Sequence, residues 1–300
     1  MRRVLVTGAS GATGLAAVRA LHGVDVQVRA LVHSDDSRSD PLRELGAEIV
    51  TGDLLDIDSV AAAVVDVDAA YFVYPVQPGL IDATAYFAQA AVEAGVTALV
   101  NMSQRPARRE AVSHASLNHW IAEQVFNRAE VPVTHLRSNM FADWMLYAGQ
   151  VDRIKNANVL ALPFADARFS PITAEDQGRV IAAILSDPSP HAGRVYYLNG
   201  PEVVTVSDIA VALSDVLGRA ISYCPMPIAD FQSIVTDIPH LGPFFAQHIG
   251  AVADDLRNGV FEVTNTTVAD ITGVAPMSIR DFVRLHFDEF APCQPVSEVS

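Results

Sequence analysis

The stretch Thr7-Gly8-Ala9-Ser10-Gly11-Ala12-Thr13-Gly14 follows the apolar run Val4-Leu5-Val6 and opens the amphipathic run Leu15 to Leu21. A buried strand, a glycine turn and a helix start therefore meet within a few residues. Such a junction aims backbone N–H groups and the positive end of a helix dipole at one point, where a pyrophosphate can sit. Glycine is needed there because a Cβ would block the turn or hold the phosphates away. The spacing is G-x-x-G-x-x-G, not G-x-G-x-x-G, and its weight comes from the strand before it and the helix after it. Thr7, Gly8, Ser10, Gly11, Ala12, Thr13 and Gly14 are thus the expected phosphate cradle.

The alternation continues through the first half. Strands are expected at Arg3–Thr7, Val26–Val32, Glu48–Val50, Ala69–Val73, Ala98–Met102 and Val133–Arg137. Helical runs fall between them, near Gly14–Leu21, Pro41–Leu45, Ser59–Val65, Ala83–Ala94 and Ser116–Arg128. Strands apolar at consecutive positions, each followed by a helix, imply a doubly wound parallel sheet covered on both faces. After Arg137 the pattern loosens. Met140–Tyr147 reads as helical, and Val159–Leu162, Arg194–Leu198 and Ile221–Cys224 as short strands. Thr173/Asp176, Thr205/Asp208 and Ser278/Asp281 resemble capping boxes opening helices at 173–185, 206–217 and 278–287. The expected division is a nucleotide-binding domain over 1–155 and a smaller α+β substrate lobe over 156–300, with segments near 165–200 returning to the first sheet.

Half of the residues are apolar, enough for a substantial core, yet no run approaches the ~18 apolar residues of a membrane span. No charged-then-apolar leader precedes the first strand, so a cytoplasmic protein is expected. Cys224 and Cys293 lie far apart and suggest neither a disulfide framework nor a metal site. The formal charge of −15 argues against direct contact with nucleic acid, which needs a basic face. The partner implied is a small molecule, and self-association is left open.

Ligands of a doubly wound sheet sit beyond the carboxyl ends of its strands. After the second strand, His33 and Ser34 face the adenosine ribose. A basic group there welcomes the 2′-phosphate of NADP, whereas Asp35 or Asp36 could serve NAD. NADP is favoured and NAD possible. Asp53 and Leu54 follow the third strand and face adenine; Asp56 fits a helix cap better than Asp53 does. Val73, Tyr74 and Pro75 end the fourth strand, and Met102 and Ser103 the fifth; both ends should border the nicotinamide. Ser103 could polarise a substrate carbonyl or be a turn serine. Gln77, Asn139, Met140, Phe141, Phe231 and Phe244 are the expected acceptor contacts. Reductases on this sheet usually pair a Tyr with a Lys four residues on, the lysine lowering the phenol's pKa. The sole lysine, Lys155, follows Val151 by four, so no such pair exists.

Val4 to Gly14, Val28-Arg29-Ala30-Leu31-Val32, Gly52-Asp53-Leu54 and His135 to Phe141 together resemble the NmrA-like branch of the atypical short-chain dehydrogenases/reductases. Tyr197 to Glu202, Leu217-Gly218-Arg219 and Ile271-Thr272-Gly273 extend the resemblance over nearly the whole chain. It implies an NAD(P)-binding Rossmann fold with a smaller substrate lobe. Members include quinone, dye and other small-molecule reductases; others are redox-sensing regulators that bind the nucleotide without turning it over. Many carry Arg where this chain has His33. Where relatives of the isoflavone-reductase type carry a catalytic Lys, this chain has His119, and Ala115 stands at the tyrosine position. His119 and His114 are therefore the candidate proton donors, and being about 140° apart around one helix, only one should face the pocket. Hydride transfer to a conjugated acceptor can also proceed with water as the acid. The expected function is an NAD(P)H-dependent reductase of a small conjugated or aromatic acceptor. The alternative is a non-catalytic nucleotide sensor acting through a protein partner.

Overall fold

Val4, Leu5 and Val6 are all sealed from solvent, yet they enter two different cores. Leu5 packs with Phe72, Phe87 and Phe126 on one face of a sheet, while Val4 and Val6 join Val100, Leu136 and Val180 on the other. Side chains alternate across a strand, so a continuous apolar run feeds both faces. The computed structural model describes residues 2–147, 149–238 and 241–291. Its strands are β1 (Arg2–Val6), β2 (Val26–Val32), β3 (Glu48–Thr51), β4 (Ala69–Phe72), β5 (Ala98–Gln104), β6 (Val133–Ser138), β7 (Val159–Leu162), β8 (Val195–Leu198) and β9 (Ser222–Pro225). Seven form one parallel sheet in the order β3-β2-β1-β4-β5-β6-β8. This is the doubly wound α/β fold. The strand order reverses between β1 and β4, which opens a crevice there.

The second half contributes to that sheet directly. Helix Ala174–Ser186, capped by Thr173 through the Asp176 N–H, packs along helix Ala12–Leu21, and β8 closes the sheet beside β6. A Cβ on Gly178 would stand 2.6 Å from the Ala16 Cβ, so only glycine allows the two helices to approach this closely. A separate core gathers Phe164, Phe169, Leu213, Phe231 and Phe282 around the β7–β9 pair. Ala142, Met145 and Ile154 already belong to it, so the packing changes hands upstream of residue 155.

The other two capping residues also open helices, Val206–Leu217 and Ile279–Leu285. The expected helix over Met140–Tyr147 is instead a tight 3-10 turn, Ala142–Leu146. The aromatic-rich segment after Pro225 folds into two helices not foreseen, Ile228–Thr236 and Gly242–Arg257, which pack on each other. Proline stands at the first turn of the second, where its missing N–H costs nothing. Cys224 is an exposed free thiol, whereas Cys293 and the tail from Pro292 lie outside the described residues. No helix among the described residues is long and apolar enough to cross a membrane.

Candidate functional site

Gly8 has φ +55°, and a Cβ there would fall 2.7 Å from Val73 Cγ1 at the end of β4. A Cβ on Gly14 would reach 2.7 Å from the Ala9 Cα and press on the Gly8 carbonyl oxygen. The Gly11 N–H donates to that carbonyl at 2.9 Å, closing the turn. Gly11 caps helix Ala12–Leu21 without a side-chain hydrogen bond, and the first intrahelical donor is the Leu15 N–H. The N–H groups of Ala12, Thr13 and Gly14 are thus left for a partner outside the helix. Thr7 and Thr13 are buried braces: Thr7 Oγ1 accepts the Val73 N–H at 3.0 Å, and Thr13 Oγ1 meets the Tyr71 hydroxyl at 3.0 Å.

Beside this turn lies a cleft of about 440 Å³ at the reversal in strand order. Gly8, Ser10, His33, Asp53, Leu54, Val73, Tyr74, Pro75 and Gln77 all line it. Asp53 Oδ1 accepts the Leu55 N–H at 2.9 Å, and its own N–H donates to Ser59 Oγ, which fixes the carboxylate at the rim. Asp56 caps helix Ile57–Ala63. The Gln77 amide donates to the Tyr74 hydroxyl at 3.3 Å, and both side chains line this cleft. Because β2 stops at Val32, His33, Ser34, Asp35 and Asp36 all lie beyond it, exposed. Asp35 pairs with Arg43 and Asp36 with Arg38. The hydrogen bond from the Arg38 side chain is the main reason the Asp36 carboxyl is lowered to about 2. The two acidic groups open to an NAD-type role are therefore already bound to cations.

At the other end the side chains are committed inward. Met102 points into the core beneath helix Ala174–Ser186. Ser103 is 1% exposed, and its hydroxyl donates to Glu123 Oε1 at 2.6 Å. Glu123 in turn is gripped by Arg137 at 2.9 and 2.6 Å, and Arg137 also donates to the Tyr197 hydroxyl. The hydrogen bond to Glu123 raises the Arg137 pKa, so the guanidinium stays charged. Ser103 is thus a strut between β5 and helix His114–Phe126, which corrects the expectation that it faces a substrate carbonyl. Asn139 is corrected likewise. Its amide N–H₂ contacts Ser170 Oγ, Asn199 Oδ1 and the Phe261 carbonyl, and its oxygen accepts the Met140 N–H. Phe231 is 5% exposed inside the second core, and Met140 packs against that core. Phe141 bridges to Ile172.

The two histidines separate as their spacing requires. His114 is exposed at the start of helix His114–Phe126, its ring 6.3 Å from that of Phe244. His119 turns inward, 4% exposed, with its Nδ1 sealed and unpartnered. Burial, and then the neighbouring His248, lower its pKa to about 3, so it is a neutral imidazole at physiological pH. His248, Gln247 and Ser113 were not foreseen. Ser113 Oγ meets His248 Nδ1 at 2.8 Å, while the Gln247 amide takes the His114 N–H and donates to the Val112 carbonyl. The signal was available: Phe244, His248, Ala251 and Asp255 fall on one face of a helix by their spacing.

The sheet order, the glycine turn and the cleft beside it define a Rossmann-type α/β protein. The model of the NmrA-like family matches residues 1–263, and the chain belongs to that family. An NAD(P)H azoreductase from Xenophilus azovorans is 25% identical over 292 residues, covering 96% of this chain and 99% of the relative. A (4-alkanoyl-5-oxo-2,5-dihydrofuran-3-yl)methyl phosphate reductase from Streptomyces griseus is 28% identical over 293 residues, with the same coverage. Among solved structures, the Escherichia coli NADPH-dependent quinone oxidoreductase in complex with NADPH superposes with TM-score 0.81 at 20% identity, covering 95% of this chain and 99% of the other. The negative transcriptional regulator NmrA superposes with TM-score 0.77 at 17% identity, covering 96% of each. A common fold therefore serves both enzymes and a regulator.

Proposed function

We propose that this chain is an NAD(P)H-dependent reductase, favouring NADPH over NADH, of a small apolar acceptor of conjugated or aromatic character (quinone, enone or carbonyl type). The observation that carries the reading is the glycine cradle. A Cβ at Gly14 would strike the backbone of the turn, the N–H groups of Ala12, Thr13 and Gly14 precede the first intrahelical donor, and Gly8 and Ser10 of the turn line the cleft holding Asp53. That donor set fits a pyrophosphate and an adenosine. Ala12, Thr13 and Gly14 would bind the phosphates, Asp53 and Leu54 the adenine, and His33 and Ser34 the ribose end. The engagement of Asp35 and Asp36 by arginines supports NADPH, because it leaves no free carboxylate to repel a 2′-phosphate. The two full-length curated relatives are both named as reductases, which supports the reaction class. When bound, the nicotinamide supplies a hydride. His119, neutral and with its Nδ1 sealed, would donate a hydrogen bond from Nε2 to the acceptor oxygen, or water would protonate the stabilised product.

In this reading residues 1–155 hold the nucleotide and 156–300 cover the acceptor, with helix Ala174–Ser186 and β8 lent back to the first sheet. Phe244 and Phe141 would border the acceptor. The setting would be the cytoplasm, and association of identical copies is compatible with it. The test is NADPH or NADH oxidation against a panel of quinones, enones and azo dyes, after titration with both nucleotides. A second reading, a redox sensor acting through a protein partner, is favoured by one observation: the Ser103 hydroxyl, expected at the acceptor end, is bound to Glu123. Saturable nucleotide binding with no turnover over the panel would select it.

A further inference from the structure

Gln104 is the last residue of β5, the strand beside β4, at the carboxyl edge of the sheet beyond which ligands of this fold sit. Its side chain is half-buried and turns to the start of helix His114–Phe126, where Ser116 Oγ lies 3.2 Å from its Oε1. We propose that Gln104 binds the acceptor: its side-chain N–H₂, aimed by Ser116, donates a hydrogen bond to the acceptor's oxygen. The inference rests on the reductase reading given above and names a group that recognises that oxygen.

Which atom of the amide faces Ser116 follows from where the protons can go. Ser116 is wholly buried. Among the described residues, Gln104 Oε1 is the one acceptor its hydroxyl reaches. Turned over, the amide would set its N–H₂ against the Ser116 oxygen and strand the hydroxyl proton in the interior. The Ser116 backbone is fixed as well, since its N–H donates to Ser113 Oγ at 3.1 Å. Oε1 is therefore engaged and Nε2 is spare: it has no partner among the described residues and is not sealed from solvent.

The helix supplies the placement. Ser116, His119 and Glu123 stand three and four residues apart, so they share one face, and all three are buried. Glu123 takes the Ser103 hydroxyl and Ser116 gives its own to Gln104, so this face meets the end of β5 at two points. His119 lies between them, about 4.5 Å along the axis from Ser116. With NADPH as the source, a hydride adding to a carbonyl carbon or to the far end of an enone moves the π electrons onto the oxygen, which water then protonates. A fixed N–H donor strengthens as that negative charge develops. Gln104 would thus stabilise the oxyanion without supplying the proton.

Titrating the full-length protein with 4-nitrophenolate, an aromatic ring bearing an oxyanion, and with nitrobenzene, the ring without it, tests the assignment without turnover. Gln104→Met, which keeps the length and removes the N–H₂, should weaken phenolate binding at least about tenfold and nitrobenzene binding less than about twofold. Ser116→Ala should weaken the phenolate about threefold in the wild-type background and no further in Gln104→Met. In turnover, Gln104→Met should lower kcat for a quinone about tenfold and leave the NADPH Kd unchanged. Equal losses for the two ligands, no phenolate binding to the wild type, or additive effects of the two substitutions overturn the proposal. Should no quinone be reduced, the reductase reading fails, while the titrations still decide whether Gln104 holds an oxyanion.

Discussion

The two ends of the candidate site are built from different materials. At the phosphate end the parts are backbone: three N–H groups, a glycine in the left-handed region and another where no Cβ fits. All come from one uninterrupted stretch of chain. At the other end the parts are side chains brought together from distant positions, with His248 and Gln247 from one helix meeting Ser113 and the His114 N–H at the start of another. The first kind of site draws its groups from β1 and its helix alone, although later segments brace them. The second exists only after the lobes have docked. A backbone cradle tolerates most side-chain changes and fails at its glycines, whereas a side-chain junction degrades one contact at a time.

The sharpest attack on this contrast is Gly14→Ala. The added Cβ has Ala9 and the Gly8 carbonyl in its way, so nucleotide affinity should fall at least about 100-fold, measured by fluorescence titration. Unchanged affinity would mean that the cradle is not backbone-built. At the acceptor end, His119→Ala should lower kcat about 100-fold and leave the nucleotide Kd alone, as judged by steady-state kinetics. A loss of affinity instead would merge the two ends into one.

Asp143 probes the support between them. Its carboxylate accepts the Ala174 N–H at the head of the helix that buttresses helix Ala12–Leu21. Burial, and then Glu175, push its pKa up to about 6, against about 3.9 in an unfolded chain. The folded state binds the extra proton between those values, so this group's contribution to stability declines as pH rises from about 4 to about 6 and is level above. Asp143→Asn should remove that decline, gaining about 2 kcal/mol over wild type by pH 7 in urea titrations run at several pH values. A constant difference at all pH values would contradict it. The smallest effect concerns the ribose end: His33→Arg should raise the preference for NADPH over NADH about fivefold, measured as a ratio of Kd values.

The contrast also explains what could be read from the sequence. Gly8, Gly11 and Gly14 are legible because their roles depend on local backbone geometry, and local geometry is written in consecutive residues. Most strands of the parallel sheet were legible for a similar reason: β1, β2, β4 and β5 each carry a run of consecutive apolar residues. The three capping residues announced their helices. The site's far end was not legible, since nothing near Ser103 in sequence reveals that Glu123 and Arg137 will take its hydroxyl. Asn139 follows a strand end, where ligands sit, yet its amide is used up by Ser170, Asn199 and Phe261 from three later segments. His248 was hidden by the aromatic residues around it, which drew attention to composition where helical spacing was the informative pattern. The turn at Ala142–Leu146 was misread because its apolar residues serve the second core, not a helical face.

The contact between Gly178 and Ala16 decides what can be cut away. The helix proposed to cradle the phosphates rests on one synthesised more than 150 residues later. A fragment ending near the middle of the chain would contain every residue of the nucleotide fingerprint and still lack the wall behind it. Such a truncation would leave Ala16, Ala17 and the neighbouring apolar side chains facing water, and it is expected to aggregate.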